Sequence, residues 1–174
     1  MSTIIFICIL CVICFVLGKY SNKYTSKTNR NRSLNQYIEM QNLSAPQYNF
    51  DNADLKMVFC VRDDLKMGAG KIAAQVAHAA VGLFDDITSG KDEYHKQALF
   101  YWCDFGAKKI VLRVENLENL QRLYFKCKEA KLPCIMISDA GHTQVPAGSV
   151  TVLGIGPDAS DKINKITGSL KLMR

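Results

Sequence analysis

Proline, histidine and tryptophan are scarce in this chain of 174 residues, at 4, 3 and 1 respectively. So little proline excludes collagen-like and proline-rich architectures, and 48% hydrophobic with 22% charged residues excludes a disordered chain. A strong excess of one charge is also missing. Lys and Arg number 22 against 16 Asp and Glu, a formal +6 that is mild beside a nucleic-acid coat or histone-like protein. There is no internal repeat. The length accommodates one domain of about 100–150 residues plus an appendage.

Charge is wholly absent from Ser2 to Gly18, where Ile4 to Leu17 reads IIFICILCVICFVL, apolar on every helical face. At about 1.5 Å per residue such a helix spans roughly 25 Å, near the lower limit for a bilayer core. A cleaved signal peptide needs basic residues before the run and a small-x-small site after it. Neither is present around Leu17-Gly18-Lys19-Tyr20-Ser21, so a retained anchor over 1–18 is expected. Residues 1–50 carry Lys19, Lys23, Lys27, Arg30 and Arg32 against Glu39 alone, which leaves 17 basic and 15 acidic residues beyond. The positive-inside rule then puts everything after the anchor in the cytosol, with 19–54 as a flexible basic tether and 55–174 as the folded domain.

Metal ligation by cysteine is unpromising. Cys8, Cys11 and Cys14 have C-x2-C-x2-C spacing but lie in the apolar run, where thiolates are costly and small hydrophobes are not. Cys60, Cys103, Cys127 and Cys134 have no ligand spacing and fit buried free thiols in a reducing compartment.

Within the domain, Met57 to Val61 is a continuous apolar run expected of a strand covered on both faces. Helices are expected over Lys71–Asp86 and Asp92–Cys103, a strand over Lys109–Val114, and a helix over Leu117–Lys131 capped by Asn116 and stopped by Pro133. Strands over Cys134–Ile137 and Val150–Ile155 precede a last helix capped by Asp158 and ending at Thr167. The order predicts an α/β layered domain with at least four strands.

Two places could carry chemistry. On the first helix Lys71, Gln75, His78 and Gly82 fall within about 60° of one another amid Ala, Val, Ile, Leu and Phe. That stripe is either a solvent-facing edge or a site where a lysine, an amide and an imidazole hold an anion or a reacting carbonyl. The glycines before it do not make a Walker A loop, because Leu65 and Ile72 stand where Gly and Ser/Thr are needed. Gly68-x-Gly70-x-x-Ala73 matches part of a dinucleotide fingerprint but lacks the acid about 20 residues on. The second place is the loop Asp139 to Ser149 with Thr151 beyond it. Asp139, Thr143 and Gln144 either hold a water there or merely bond the backbone in an Asx-type turn.

Leu65-Lys66-Met67-Gly68-x-Gly70-Lys71-Ile72-Ala73-Ala74-Gln75-Val76-Ala77-His78-Ala79, Asp139-Ala140-Gly141-x-Thr143-Gln144 and Thr151-Val152-Leu153-Gly154-Ile155-Gly156-Pro157 resemble the archaeal and eukaryotic type 2 peptidyl-tRNA hydrolases, from about Lys56 to Leu172. The resemblance implies hydrolysis of the ester joining a peptide to the terminal ribose of tRNA by a cofactor-free and metal-independent α/β enzyme, a three-layer αβα sandwich around a mixed sheet of about four strands, that forms a homodimer. It implies Lys71, Asp139, Thr143 and Thr151 as catalytic residues, with Gly70, Gln75, His78 and Gln144 contacting substrate. Exposed lysines such as Lys108 and Lys109 would grip the tRNA backbone, with Arg113, Lys126 and Lys128 as further candidates. Pro146-Ala147 reverses the common order, and Ala69 and His142 stand where such proteins often carry Lys and Arg; these two remove or weaken positive charge, so tRNA affinity is what they touch. Likeness to the eukaryotic members favours the mitochondrial outer membrane for the anchor, with the endoplasmic reticulum as the alternative. A membrane-tethered adaptor that keeps the hydrolase fold is the competing function.

Overall fold

Strand β1, Leu55–Arg62, is the middle strand of the sheet, with seven of its eight residues buried. Its alternation sorts them: Met57, Phe59 and Val61 face one core, Val58 and Cys60 the other. A strand covered on both faces cannot show a polar side, which is why its sequence is nearly continuous in apolar residues. A computed structural model describes residues 47–141 and 144–173.

After β1 come α1 (Ala69–Ser89), α2 (Glu93–Asp104), β2 (Lys109–Val114), α3 (Leu117–Glu129), β3 (Cys134–Ser138), β4 (Val150–Ala159), α4 (Ser160–Thr167) and β5 (Lys171–Leu172). The sheet order is β3-β4-β1-β2-β5. β1 and β2 are parallel, whereas β4 is antiparallel to both β1 and β3, so β1, β2 and β3 all point the same way. α1 and α2 close one face through Ala79, Leu83, Ile87, Leu99 and Trp102; α3 and α4 close the other through Leu120, Leu123, Cys127 and Ile163.

α1 buries Gln75, Ala79, Leu83 and Ile87, one residue per turn at i, i+4 spacing. α2 and α3 begin where Asp92 and Asn116 accept the backbone N–H of His95 and Asn119 at 3.2 and 3.0 Å. α4 departs from expectation. β4 continues through Asp158, whose Oδ1 takes the Ala159 N–H at 2.6 Å, and the helix opens at Ser160. Asp158 is 1% exposed and held by the Tyr94 hydroxyl, His95 and Lys162, so tertiary partners take the carboxylate that a local cap would use. The sheet also has five strands where about four are expected: β5, two residues pairing with Leu112 and Arg113, is too short to leave a period.

The unit that holds the sheet runs from Tyr48 to Arg174. Phe50, inside the segment read as tether, packs into the α1–α2 core. Cys60, Cys127 and Cys134 are buried as expected, whereas Cys103 is exposed on α2. Burial pushes the Cys60 thiol up to about 12, which leaves it inert.

The expected membrane location is corrected. Among the described residues no helix is long and apolar enough to cross a membrane. The segment 1–18 lies outside the described residues, so nothing in the structure upholds an anchor, or an assignment to the mitochondrial outer membrane or the endoplasmic reticulum.

Candidate active site

β3 delivers its last residue, Ser138, to the same end of the sheet as the C-terminus of β1, and α1 starts there seven residues after β1 ends. Asp139 follows Ser138, and Lys71 sits in the first turn of α1. The two side chains form an ion pair at 10% and 6% exposure, with Lys71 Nζ donating to Asp139 Oδ2. The same oxygen accepts the Gln75 amide at 2.8 Å, and Oδ1 accepts the Gly141 backbone N–H at 2.9 Å. The carboxylate is therefore fixed by three donors from two elements.

Gln75 is itself oriented. The Thr151 hydroxyl, fully buried on β4, donates to Gln75 Oε1 at 2.5 Å and lies 3.2 Å from the Ile137 carbonyl oxygen. With its oxygen committed to Thr151, the amide must present its NH2 group to Asp139. Thr151→Gln75→Asp139 is thus a buried relay from the sheet to the carboxylate.

The loop after Asp139 is closed at its base, where Asp139 N–H donates to Ser149 O at 2.9 Å and Gly148 N–H to Asp139 O at 2.7 Å. Gly141 has φ +83°, and a Cβ there would stand 2.5 Å from the Ala147 nitrogen. Only glycine fits. Gln144 reaches back to α1, its Oε1 accepting the Gly68 N–H at 2.8 Å. Gly68 itself supplies no capping side chain, so the start of α1 keeps amide donors beside the Lys71 ammonium.

Gly70, Lys71, Gln75, His78, Asp139 and Gln144 line one cleft of about 900 Å³. Val81, Met136 and Ile137 add an apolar part to its lining. His78 is exposed and joins the cleft without touching Asp139 through any described hydrogen bond. The polar stripe on α1 is hence only partly a solvent edge, because Gln75 belongs to the buried stripe and is 3% exposed.

The remaining expected residues fall elsewhere. Thr143 and its neighbour His142 lie outside the described residues. Lys108 and Lys109 stand at the N-terminal end of β2, the opposite end of the sheet from Asp139. There Lys108 pairs with Asp54, while Lys109 lies 4.2 Å above the Trp102 ring and donates to the Ala107 carbonyl. Arg113 and Lys126 line a separate basic cleft of about 490 Å³ between β2 and α3. Gly141 is the contributor that sequence reasoning does not single out as a site residue. Its signal is the Asp-x-Gly spacing, which lets a carboxylate bond the N–H two residues on.

A family model described as peptidyl-tRNA hydrolase PTH2 matches residues 55–173. Curated relatives include a peptidyl-tRNA hydrolase of Sulfurisphaera tokodaii, 49% identical over 68% of this chain and 98% of that protein. Another, from Methanothermobacter thermautotrophicus, is 48% identical over 68% of this chain and the whole of that protein. The Homo sapiens protein named peptidyl-tRNA hydrolase 2, mitochondrial, is 45% identical over 70% of this chain and 66% of its own length.

Proposed function

Because the chain belongs to the PTH2 family of peptidyl-tRNA hydrolases, we propose that its Lys71–Asp139 cleft cleaves the ester of peptidyl-tRNA, releasing peptide and free tRNA. The observation that carries the site assignment is the buried carboxylate held by Lys71, Gln75 and Gly141 in the lining of a cleft. An adaptor that merely kept the fold would have no use for a buried ion pair maintained at such cost in desolvation.

Three donors on one carboxylate hold its two oxygens in a fixed orientation. Asp139 accordingly serves to orient a water toward the ester carbonyl rather than to strip it of a proton beforehand. As the water oxygen bonds to the carbonyl carbon, negative charge grows on the carbonyl oxygen. The Lys71 ammonium has three N–H donors, of which one goes to Asp139, so two remain for that oxyanion, beside the free amides at the start of α1. When the tetrahedral species collapses, the ribose oxygen departs with a proton, the other water proton goes to solvent, and the peptide leaves as a carboxylate. Thr151 acts through Gln75 and is a positioning residue.

Thr143 keeps its place in the proposal through the Asp139-Ala140-Gly141-x-Thr143 motif. Lys108 and Lys109 are left for the body of the tRNA, whose phosphates contribute binding that weakens as salt rises. A homodimer also remains part of this proposal, on the resemblance alone.

The decisive assay is release of N-acetyl amino acid from N-acetyl-aminoacyl-tRNA by the full chain in the presence of EDTA. Release by the wild type that Asp139→Ala abolishes, with the variant still folded by circular dichroism, is the expected result. Undiminished release by Asp139→Ala refutes the site.

A further inference from the structure

β3 is an edge strand. Among the described residues it pairs only with β4, so one side of its backbone faces outward. The pattern of bonds tells which groups those are. Pro133 O accepts from Gly156 N–H, and beyond the strand Asp139 bonds Ser149 and Gly148. Antiparallel pairs alternate, so Ile135 and Ile137 turn their N–H and C=O toward β4, while Cys134, Met136 and Ser138 turn theirs to the open edge.

An open edge normally carries a deterrent such as a charge, a proline or extreme shortness. The opposite edge of this sheet follows the rule, since β5 has two residues and one is Lys171. β3 does not: Cys-Ile-Met-Ile-Ser holds no charge. Its edge also opens into the candidate active site. Met136 packs its side chain on the α3 face of the sheet, yet it lines the cleft shared by Lys71 and Gln75 on the α1 face. A cleft that meets residues of both faces passes over the edge of the strand.

We infer that the peptide moiety of the substrate docks as a sixth strand on the open edge of β3, main chain to main chain, with its ester end at Asp139. This rests on the hydrolase reading above. The occupant is fixed by continuity: Asp139 directly follows Ser138, so a chain esterified to tRNA at that carboxylate has β3 as its nearest track. Polarity follows too. With the peptide C-terminus at Asp139, the peptide runs parallel to β3, and the N–H and C=O of Met136 bond its alternate residues. At about 3.3 Å per residue, Met136 meets the peptide roughly three residues before the ester. Main-chain pairing reads no side chain, which suits an enzyme that must accept peptides of any sequence.

The test uses the full chain with N-acetyl-aminoacyl-tRNA and with peptidyl-tRNA bearing five residues, the latter also N-methylated at single positions. KM is expected to fall by roughly three- to tenfold per main-chain hydrogen bond gained as the peptide lengthens. N-methylation is expected to raise KM with a period of two residues along the peptide. Met136→Pro removes the outward N–H, a loss an edge strand tolerates, together with a side chain that packs on the α3 face, so its effect is read as a difference between the two substrates. It is expected to raise KM for the five-residue substrate several-fold more than KM for N-acetyl-aminoacyl-tRNA. Ile135→Pro, which breaks a bond to β4, serves as the misfolding control.

Equal KM for short and long substrates, or N-methyl effects without alternation, overturns the edge proposal while leaving the hydrolase intact. No cleavage of either substrate by the wild type refutes the hydrolase reading instead. A Met136→Pro variant that changes oligomeric state with KM unmoved gives the edge to a second copy of the chain and overturns the proposal as well.

Discussion

Thr151→Val tests whether the relay behind Asp139 is a physical unit. Valine keeps the volume of threonine and removes the hydroxyl that donates to Gln75 Oε1 at 2.5 Å. Gln75 is 3% exposed, so its oxygen is left buried without that donor, at a cost of about 1–3 kcal/mol. For a domain of this size that lowers Tm by about 3–5 °C per kcal/mol. Gln75→Leu costs a similar amount by removing one donor from Asp139, but Thr151 keeps the Ile137 carbonyl at 3.2 Å as an acceptor. The double variant strands no amide oxygen, so its stability loss is expected to fall short of the sum by about 1–2 kcal/mol. Kinetics should show the same coupling. Loss of the Gln75 donor lets the carboxylate shift, which lowers kcat by on the order of 100-fold. Adding Thr151→Val should lower it no further, since Thr151 acts only through Gln75. Chemical denaturation of the four proteins and single-turnover release from N-acetyl-aminoacyl-tRNA supply both cycles. Losses in kcat that multiply in the double variant would refute the relay.

Lys71→Met is expected to lower kcat by about 100- to 1000-fold and to cost about 3–5 kcal/mol of stability, because Asp139 stays buried without its cation. Lys71→Met with Asp139→Asn should regain most of that stability and none of the activity, as read by urea melts beside the release assay. Gly141→Ala forces a side chain to within 2.5 Å of Ala147 at φ +83°, so the loop must move; Tm and kcat should both fall, and an unchanged kcat would detach the loop from the site. Neutralising Lys108 and Lys109 to Gln should raise KM a few-fold, shallow its salt dependence by about one to two units of logarithmic slope, and spare kcat. His95 has Asp92 at 2.9 Å and Asp158 at 3.5 Å. Burial works to lower its pKa, but the two carboxylates outweigh it and hold the imidazole above its ordinary value. That contribution to stability is present in full below about pH 6.5 and lost as pH rises through the folded-state pKa. Tm of the wild type relative to His95→Gln should accordingly narrow between about pH 6 and 9; a constant difference refutes the assignment.

The secondary structure was legible wherever a local cause sufficed. Asn116 caps α3, an i, i+4 stripe makes α1 amphipathic, and a continuous apolar run makes β1 a central strand; each follows from neighbours a few residues apart. The Asp139–Gly141 hydrogen bond also has a local cause in its two-residue spacing, although Gly141 is not singled out as a site residue from the sequence. β5 and the true start of α4 were not legible, because one is set by pairing with Leu112 and Arg113 and the other by Asp158 being drawn to Tyr94, His95 and Lys162.

The sequence by itself determined the chemistry available: a lysine and an amide one turn apart on a helix, an acid at a strand end, a threonine on the next strand, and the motifs that mark a PTH2 family member. Their spatial relations come from the fold. Lys71 and Asp139 are 68 residues apart in the chain, and Gln75 and Thr151 are 76 apart. They meet because β3 lies parallel to β1 across β4, which brings the end of one strand beside the helix that follows the other. The open edge of β3 is likewise a fact of strand order, which pairing over long separations fixes and no local pattern encodes.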